Sequence, residues 1–119
     1  DSISFYVGEG NNLIINKLYC FPNPMRSYTS FQYSHNMPGN HDVTLKIYDF
    51  SGKVIYSYTR TNSEMGFVSE PLYWERITSS DSYVPPGVYA YTINVKVTTD
   101  YSNTNYENSQ SGRVIIIPE

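Results

Sequence analysis

Thr29-Ser30-Phe31-Gln32-Tyr33-Ser34-His35-Asn36 decides the fold class, because Thr29, Phe31, Tyr33 and His35 alternate with Ser30, Gln32, Ser34 and Asn36. A period of two sends successive side chains to opposite sides of a strand, so one face is buried and the other wet. The same period recurs in Tyr89, Tyr91, Ile93, Val95 and Val97, set against Ala90, Thr92, Asn94 and Lys96. It recurs again in Val43, Leu45 and Ile47 against Thr44, Lys46 and Tyr48. Composition agrees. The 47 hydrophobic residues among 119 include 13 Tyr and 19 Val plus Ile, but only four Leu and one Ala. Val, Ile, Tyr and Thr fit a pleated surface, whereas Ala and Leu head the helix scale, which argues against a helical bundle.

Turn residues divide the chain into short runs. Ile3-Ser4-Phe5-Tyr6-Val7 reads either as a first strand or as the end of a preceding domain, and residues 1–12 are assigned to that role or to a linker. Residues 13–119 form the expected single domain. Leu13 to Phe21 stops at Pro22-Asn23-Pro24, where two prolines remove backbone donors and force a turn. Pro38-Gly39-Asn40 marks the next loop, with His41 beside it. Asp49-Phe50-Ser51-Gly52 is a hairpin turn, with Asp at its start and Gly where a positive φ is wanted, and a new strand starts near Lys53. Thr61 to Pro85 is read as loops around one strand holding Leu72, Tyr73 and Trp74. Pro85-Pro86-Gly87 opens the longest strand. The polar stretch Asp100 to Gln110 is expected to be a long, mobile loop before a terminal strand, Gly112-Arg113-Val114-Ile115-Ile116-Ile117, closed by Pro118. About seven strands at this spacing predict an all-β, antiparallel, immunoglobulin-like sandwich. With Cys20 as the one cysteine, it has no internal disulfide.

The residues offer little reaction chemistry. Eight basic and eleven acidic residues give −3 with no run of like charge, which makes nucleic acid an improbable partner. No stretch reaches the roughly 18–20 apolar residues that span a bilayer. Cys20, between Tyr19 and Phe21, reads as a small inert hydrophobe. His35 falls on an apolar face and reads as structural, and Asp81 and Asp100 lack the alternating carboxylates of a calcium loop. No phosphate loop, zinc-binding helix or nucleophile elbow occurs. The domain is therefore expected to be non-catalytic, with no cofactor and no metal. Tyr89, Tyr91 and Trp74 are assigned to the core, leaving Tyr83, Tyr101 and Tyr106 as exposed loop contacts.

Four blocks in order carry a resemblance: Phe21-Pro22-Asn23-Pro24, Ile47-Tyr48-Asp49-Phe50-Ser51-Gly52-Lys53-Val54, Gly87-Val88-Tyr89-Ala90-Tyr91, and Arg113-Val114-Ile115-Ile116-Ile117. Together, from about Leu18 to the end, they resemble the C-terminal sorting domains of type IX secretion in Bacteroidota. Phe31 to Asn36 and the extended length are most similar to the C-terminal domain of that system's gingipain-like cysteine peptidase, its sortase. Trp74 to Gly87 is also similar to the FlgD-like immunoglobulin pattern, in which Trp-Asp-Gly leads on to Gly-x-Tyr. Here Glu75 and Arg76 replace Asp-Gly, so that loop is expected to differ.

The resemblance implies a folded export signal that meets the type IX translocon and docks on a PorV-like outer-membrane β-barrel, with catalysis in an upstream peptidase domain of the same chain. It implies export through the periplasm to the outer membrane and cell surface. The family-motif residues are Pro22, Asn23, Pro24, Asp49, Gly52, Lys53, Gly87 and Tyr89. The terminal strand, Gly112, Arg113, Val114, Ile115, Ile116 and Ile117, is the candidate docking element, since an open edge accepts a partner strand. Equally, that strand simply completes the sandwich. Three other readings stand beside this one. They are a sorting domain cleaved from ordinary cargo, a carbohydrate-binding or adhesive sandwich using Trp74 and loop tyrosines, and a passive spacer joined through Ile3 to Val7.

Overall fold

The computed structural model describes residues 12–98 and 105–119, and shows two antiparallel sheets packed face to face with no helix among these residues. The strands are β1 (Ile15–Phe21), β2 (Thr29–His35), β3 (Gly39–Tyr48), β4 (Val54–Glu64), β5 (Leu72–Trp74), β6 (Gly87–Thr98) and β7 (Asn105–Ile116). One sheet runs β1-β2-β5 and the other β4-β3-β6-β7. Three strands facing four in this order is the immunoglobulin-like sandwich that the alternation predicts.

The core is made by the inward members of each alternating set. Phe31 and Tyr33 from β2 meet Val43, Leu45 and Ile47 from β3 and Tyr91, Ile93, Val95 and Val97 from β6, all buried. Phe31 and Tyr91 join the sheets directly, with ring centroids 4.7 Å apart and planes tilted by 60°. Trp74 is 1% exposed, and its indole N–H donates to the Ile77 carbonyl at 2.8 Å, so it anchors the core and offers no ligand platform.

Several boundaries differ from the expectations. The segment read as a loop from Asp100 to Gln110 is a strand from Asn105 onward, pairing in unbroken register with β6 from Thr98↔Asn105 to Gly87↔Ile116. Its Asn and Ser residues hid it, because β7 at the edge of a sheet needs few apolar side chains. Tyr106 accordingly lies in a strand, half-buried against the core. Asp100 and Tyr101 lie outside the described residues, as does Ile3 to Val7. Gly39 and Asn40 already belong to β3, which places His41 in a strand and fully buried. β4 carries on through Thr61 to Glu64.

Gly112 sits where β7 crosses under Tyr91. A Cβ at this position would lie 2.5 Å from the Tyr91 hydroxyl oxygen and 2.7 Å from its Cζ, so only a residue without a side chain lets the ring lie flat on the strand. Burial pushes the Tyr91 phenol up to about 12, so it stays protonated there. Gly112→Ala should therefore lower stability by about 1–3 kcal/mol, the usual cost of forcing atoms into a packed site. Urea unfolding checks this, and a variant as stable as the parent would show that Tyr91 moves aside freely.

Candidate functional site

At one end of the sandwich the chain makes three turns and finishes its last strand, and all the motif residues gather there. The β3–β4 hairpin is built by Asp49. Its Oδ1 accepts from Ser51 N at 2.9 Å, Ser51 Oγ at 2.6 Å and Lys53 N at 3.0 Å, while Gly52 N donates to the Asp49 carbonyl at 3.0 Å. These bonds, that from the Ser51 hydroxyl foremost, hold the Asp49 carboxyl below its ordinary range. Gly52 supplies the φ of 88° that closes the turn. Phe50 is thereby pushed to the tip, 97% exposed.

Tyr89 explains the Gly-x-Tyr block. At the start of β6 its hydroxyl donates back to the Pro85 carbonyl at 2.7 Å, the tyrosine corner of immunoglobulin-like sandwiches. This fixes Pro85-Pro86-Gly87 beside the Asp49 hairpin. Between them lies an open, mainly apolar groove of about 540 Å³, walled by Phe50, Ile55, Tyr83, Val84, Pro86 and Val88. Val88 pairs with Ile115 across β6 and β7 on the outer face of the four-stranded sheet, and both are exposed.

The Pro-Asn-Pro turn holds the terminal strand. Asn23 Nδ2 donates to the Arg113 carbonyl at 2.9 Å, and Asn23 Oδ1 accepts from Ile115 N at 3.0 Å, so the carboxamide stands in for a peptide group of a neighbouring strand. Met25 continues the pairing, donating to the Ile115 carbonyl at 2.7 Å and accepting from Ile117 N at 2.9 Å. The outward carbonyls of Arg113 and Ile115 and the amides of Ile115 and Ile117 are therefore already engaged. The expected open edge is closed from the Arg113 carbonyl to the Ile117 amide, because the flanking prolines, which have no N–H, deliver Asn23 and Met25 onto it. What this strand offers outward is side chains, those of Arg113 and Ile115.

Arg76 is the residue that sequence reasoning missed. It is 2% exposed, donates from Nε to the Val84 carbonyl at 2.7 Å, and from Nη1 to the carbonyls of Arg26 at 2.8 Å and Ile117 at 3.4 Å. The Tyr83 ring covers it at 4.5 Å. One guanidinium thus ties the Pro-Asn-Pro turn, the loop before β6 and the tail together, and Arg26 adds a bond to the Pro118 carbonyl. Arg76 has φ 64°, the left-handed backbone favoured by the glycine of the Trp-Asp-Gly pattern. That replacement was the only signal in the sequence.

Other candidates are not assembled. Cys20 is half-buried, its Sγ 3.5 Å from Thr29 Oγ1, and burial pushes its thiol up, which disfavours the nucleophilic thiolate. It pairs with Phe31, four residues along β2 from His35, so no Cys-His couple forms. Among the described residues no group of three or more His, Cys, Asp or Glu side chains could hold a metal ion.

The described residues thus form a sandwich of immunoglobulin-like build whose one end is braced by turns around an exposed apolar groove. The chain belongs to the secretion-system C-terminal sorting domain family, whose model matches residues 19–105, in keeping with the type IX motifs. Among solved structures it is similar to dimeric latent PorU from Porphyromonas gingivalis, at 22% identity and a TM-score of 0.69 over 86% of this chain and 9% of that one. It is also similar to a β-glucuronidase of Parabacteroides merdae, at 13% identity and a TM-score of 0.51 over 88% of this chain and 13% of the enzyme. Both likenesses are of fold, and the chain spans a small part of each protein. No curated protein sequence matches it. A sorting tail of this family marks its carrier for export by the type IX system to the cell surface. Among the described residues no helix is long and apolar enough to cross a membrane.

Arg76→Gly separates the two features of that position, since glycine adopts the backbone freely but makes none of the guanidinium's bonds. It should lose about 2–4 kcal/mol in urea unfolding, as expected for several hydrogen bonds from a buried charged donor. Its Ile117 amide should also exchange faster. Unchanged stability and exchange would mean the arginine holds nothing together.

Proposed function

We propose that this chain is the non-catalytic C-terminal domain of a type IX secretion protein of the PorU sortase kind, acting as folded export signal and as docking module for a PorV-like outer-membrane β-barrel. The observation that carries this reading is the gathering of Pro22, Asn23, Pro24, Asp49, Gly52, Lys53, Gly87 and Tyr89 at one end, where they brace an exposed apolar rim instead of enclosing a reaction centre. Motif residues at a binding site usually either touch the partner or hold the surface that does. Here the turn-formers hold, and Phe50, Val88, Ile115 and Arg113 are presented.

The docking element of the sequence reading is kept in altered form. The terminal strand Gly112, Arg113, Val114, Ile115, Ile116 and Ile117 contributes its outer side chains next to Val88, and main-chain pairing is not its means. Exposed apolar residues of this kind, rimmed by polar ones, suit a standard protein–protein contact whose centre is desolvated. The PorU-like fold favours the sortase assignment over a tag cleaved from ordinary cargo. Under this reading the peptidase activity and the outer-membrane location belong to the longer protein.

Phe50→Asp and Val88→Asp change exposed side chains and should leave the fold intact. Each should weaken binding of the domain to the purified barrel at least tenfold, about 1.4 kcal/mol or more. A charge at Tyr73, on the outer face of the other sheet, should have no effect. Calorimetric titration reads both, and undiminished affinity in the Phe50 and Val88 variants would sink the proposed surface. Intact mass of the native polypeptide from cell envelopes separates the sortase reading, in which the domain stays on a large chain, from the cargo reading, in which it is released.

A further inference from the structure

At the end of the sandwich away from the Asp49 hairpin, two imidazoles meet inside the core. His35 on β2 and His41 on β3 are both buried, with ring centroids 4.4 Å apart and planes tilted by 60°. Tyr33 lies against both rings, at 5.6 and 5.9 Å. Hydrogen bonds set the neutral tautomers. His41 Nε2–H donates to the Met37 carbonyl at 2.8 Å, which leaves Nδ1 to accept from the Tyr33 hydroxyl at 2.7 Å. Met37 N donates to His35 Nδ1 at 3.2 Å, so the His35 proton sits on Nε2, which is buried without a hydrogen-bond partner.

A strip of chain after β4 covers this pair. His35 N donates to the Phe67 carbonyl at 2.8 Å, Ser69 N to the Tyr33 carbonyl at 2.9 Å, and Tyr33 N to Ser69 Oγ at 3.1 Å. The Phe67 ring stands 6.4 Å from that of His35, yet Met65, Phe67 and Val68 are all exposed. Gly66 to Ser69 is thus held mainly by its ladder to β2 and by what lies beneath it. The charged group that acts on both histidines comes from β4: Glu64, buried, with Arg60 3.8 Å from it and acting on Tyr33. Glu64 also accepts from Asn62 Nδ2 and Glu70 N, and Arg60 donates to the carbonyls of Pro71 and Glu70. β2 adds Tyr33, and β3 adds His41.

A second proton on His35 goes to Nδ1 and points a donor at the Met37 N–H. On His41 it turns the acceptor of the Tyr33 hydroxyl into a donor. Either cation then lies in the core against the other imidazole, and Glu64, the carboxylate that acts on both among the described residues, is already engaged. We infer that His35 and His41 form a proton-operated lock, which keeps the Gly66–Ser69 strip on β2 while both are neutral and releases it on acidification, with the Asp49 end staying closed. Burial, foremost for each, holds both histidines below their ordinary 6.5, and for His35 the His41 charge adds to this. Below about pH 6.5 the open form therefore binds more protons than the closed one. Closure is complete above that value and is lost as pH falls through the lowered ones.

Amide hydrogen exchange on the 119-residue chain at about pH 7.5 and about pH 5.5, corrected for intrinsic rates, tests the lock. Acid should lower protection of the Ser69 amide several-fold, because the open form takes up protons that the closed one resists, while Gly52 and Ile117 keep theirs. Unchanged Ser69 protection overturns the inference, and so does an equal loss at both ends. His35→Phe keeps a ring in place without the proton, so its acid response at Ser69 should shrink, and a full response would also overturn the lock. Should that variant not fold, the two-ended comparison in the parent chain still decides.

Discussion

The terminal strand is gripped on both edges, and the rest of the motif end depends on that grip. β6 pairs with one side of β7 along its whole length, and the Asn23 carboxamide and Met25 backbone take the other side from Arg113 to Ile117. The bond between Asn23 and Arg113 spans 90 residues of sequence, so forming it closes nearly the whole domain. Such long-range closure is slow to form and cooperative once made. Arg76 then fastens the turn, the loop before β6 and the tail to one another, using carbonyl groups that the irregular backbone leaves without strand partners.

This construction decides what the end can offer a partner. An edge strand with free main-chain groups would bind almost any extended peptide, and it would also aggregate. Here the edge is closed from the Arg113 carbonyl to the Ile117 amide. The rim that remains is side-chain chemistry on rigid turns: Phe50 on a hairpin fixed by Asp49, and Val88 beside a loop fixed by Tyr89. Recognition through shape and apolar contact is more selective than strand addition, which suits the proposed docking of one tag on one barrel.

The sandwich and most of its strands were legible because half-buried strands write their period into the sequence. Phe31, Tyr33, Val43, Leu45, Tyr91 and Val95 all face the core as their spacing demands. The motif blocks were legible too, since each is local turn chemistry. Three things were not. β7 from Asn105 to Ser111 carries Asn, Ser and Gln, and its pairing with β6 is a tertiary fact with no local signature. Arg76 reads as an ordinary charged loop residue until the three carbonyls around it are known. His41 follows Pro38-Gly39-Asn40 and looked like loop, although β3 starts at Gly39 and turns its imidazole inward toward His35, a neighbour only across the strands.

The most direct test of the central claim is an amide-exchange footprint of the domain with and without the type IX barrel. The account predicts that the partner slows exchange at the Asp49 to Lys53 hairpin, in the Thr78 to Val88 stretch and around Ile115, and leaves β4 near Glu64 unchanged. A footprint on the histidine end or on the outer face of β1 and β2, with the motif end exchanging as before, would contradict it.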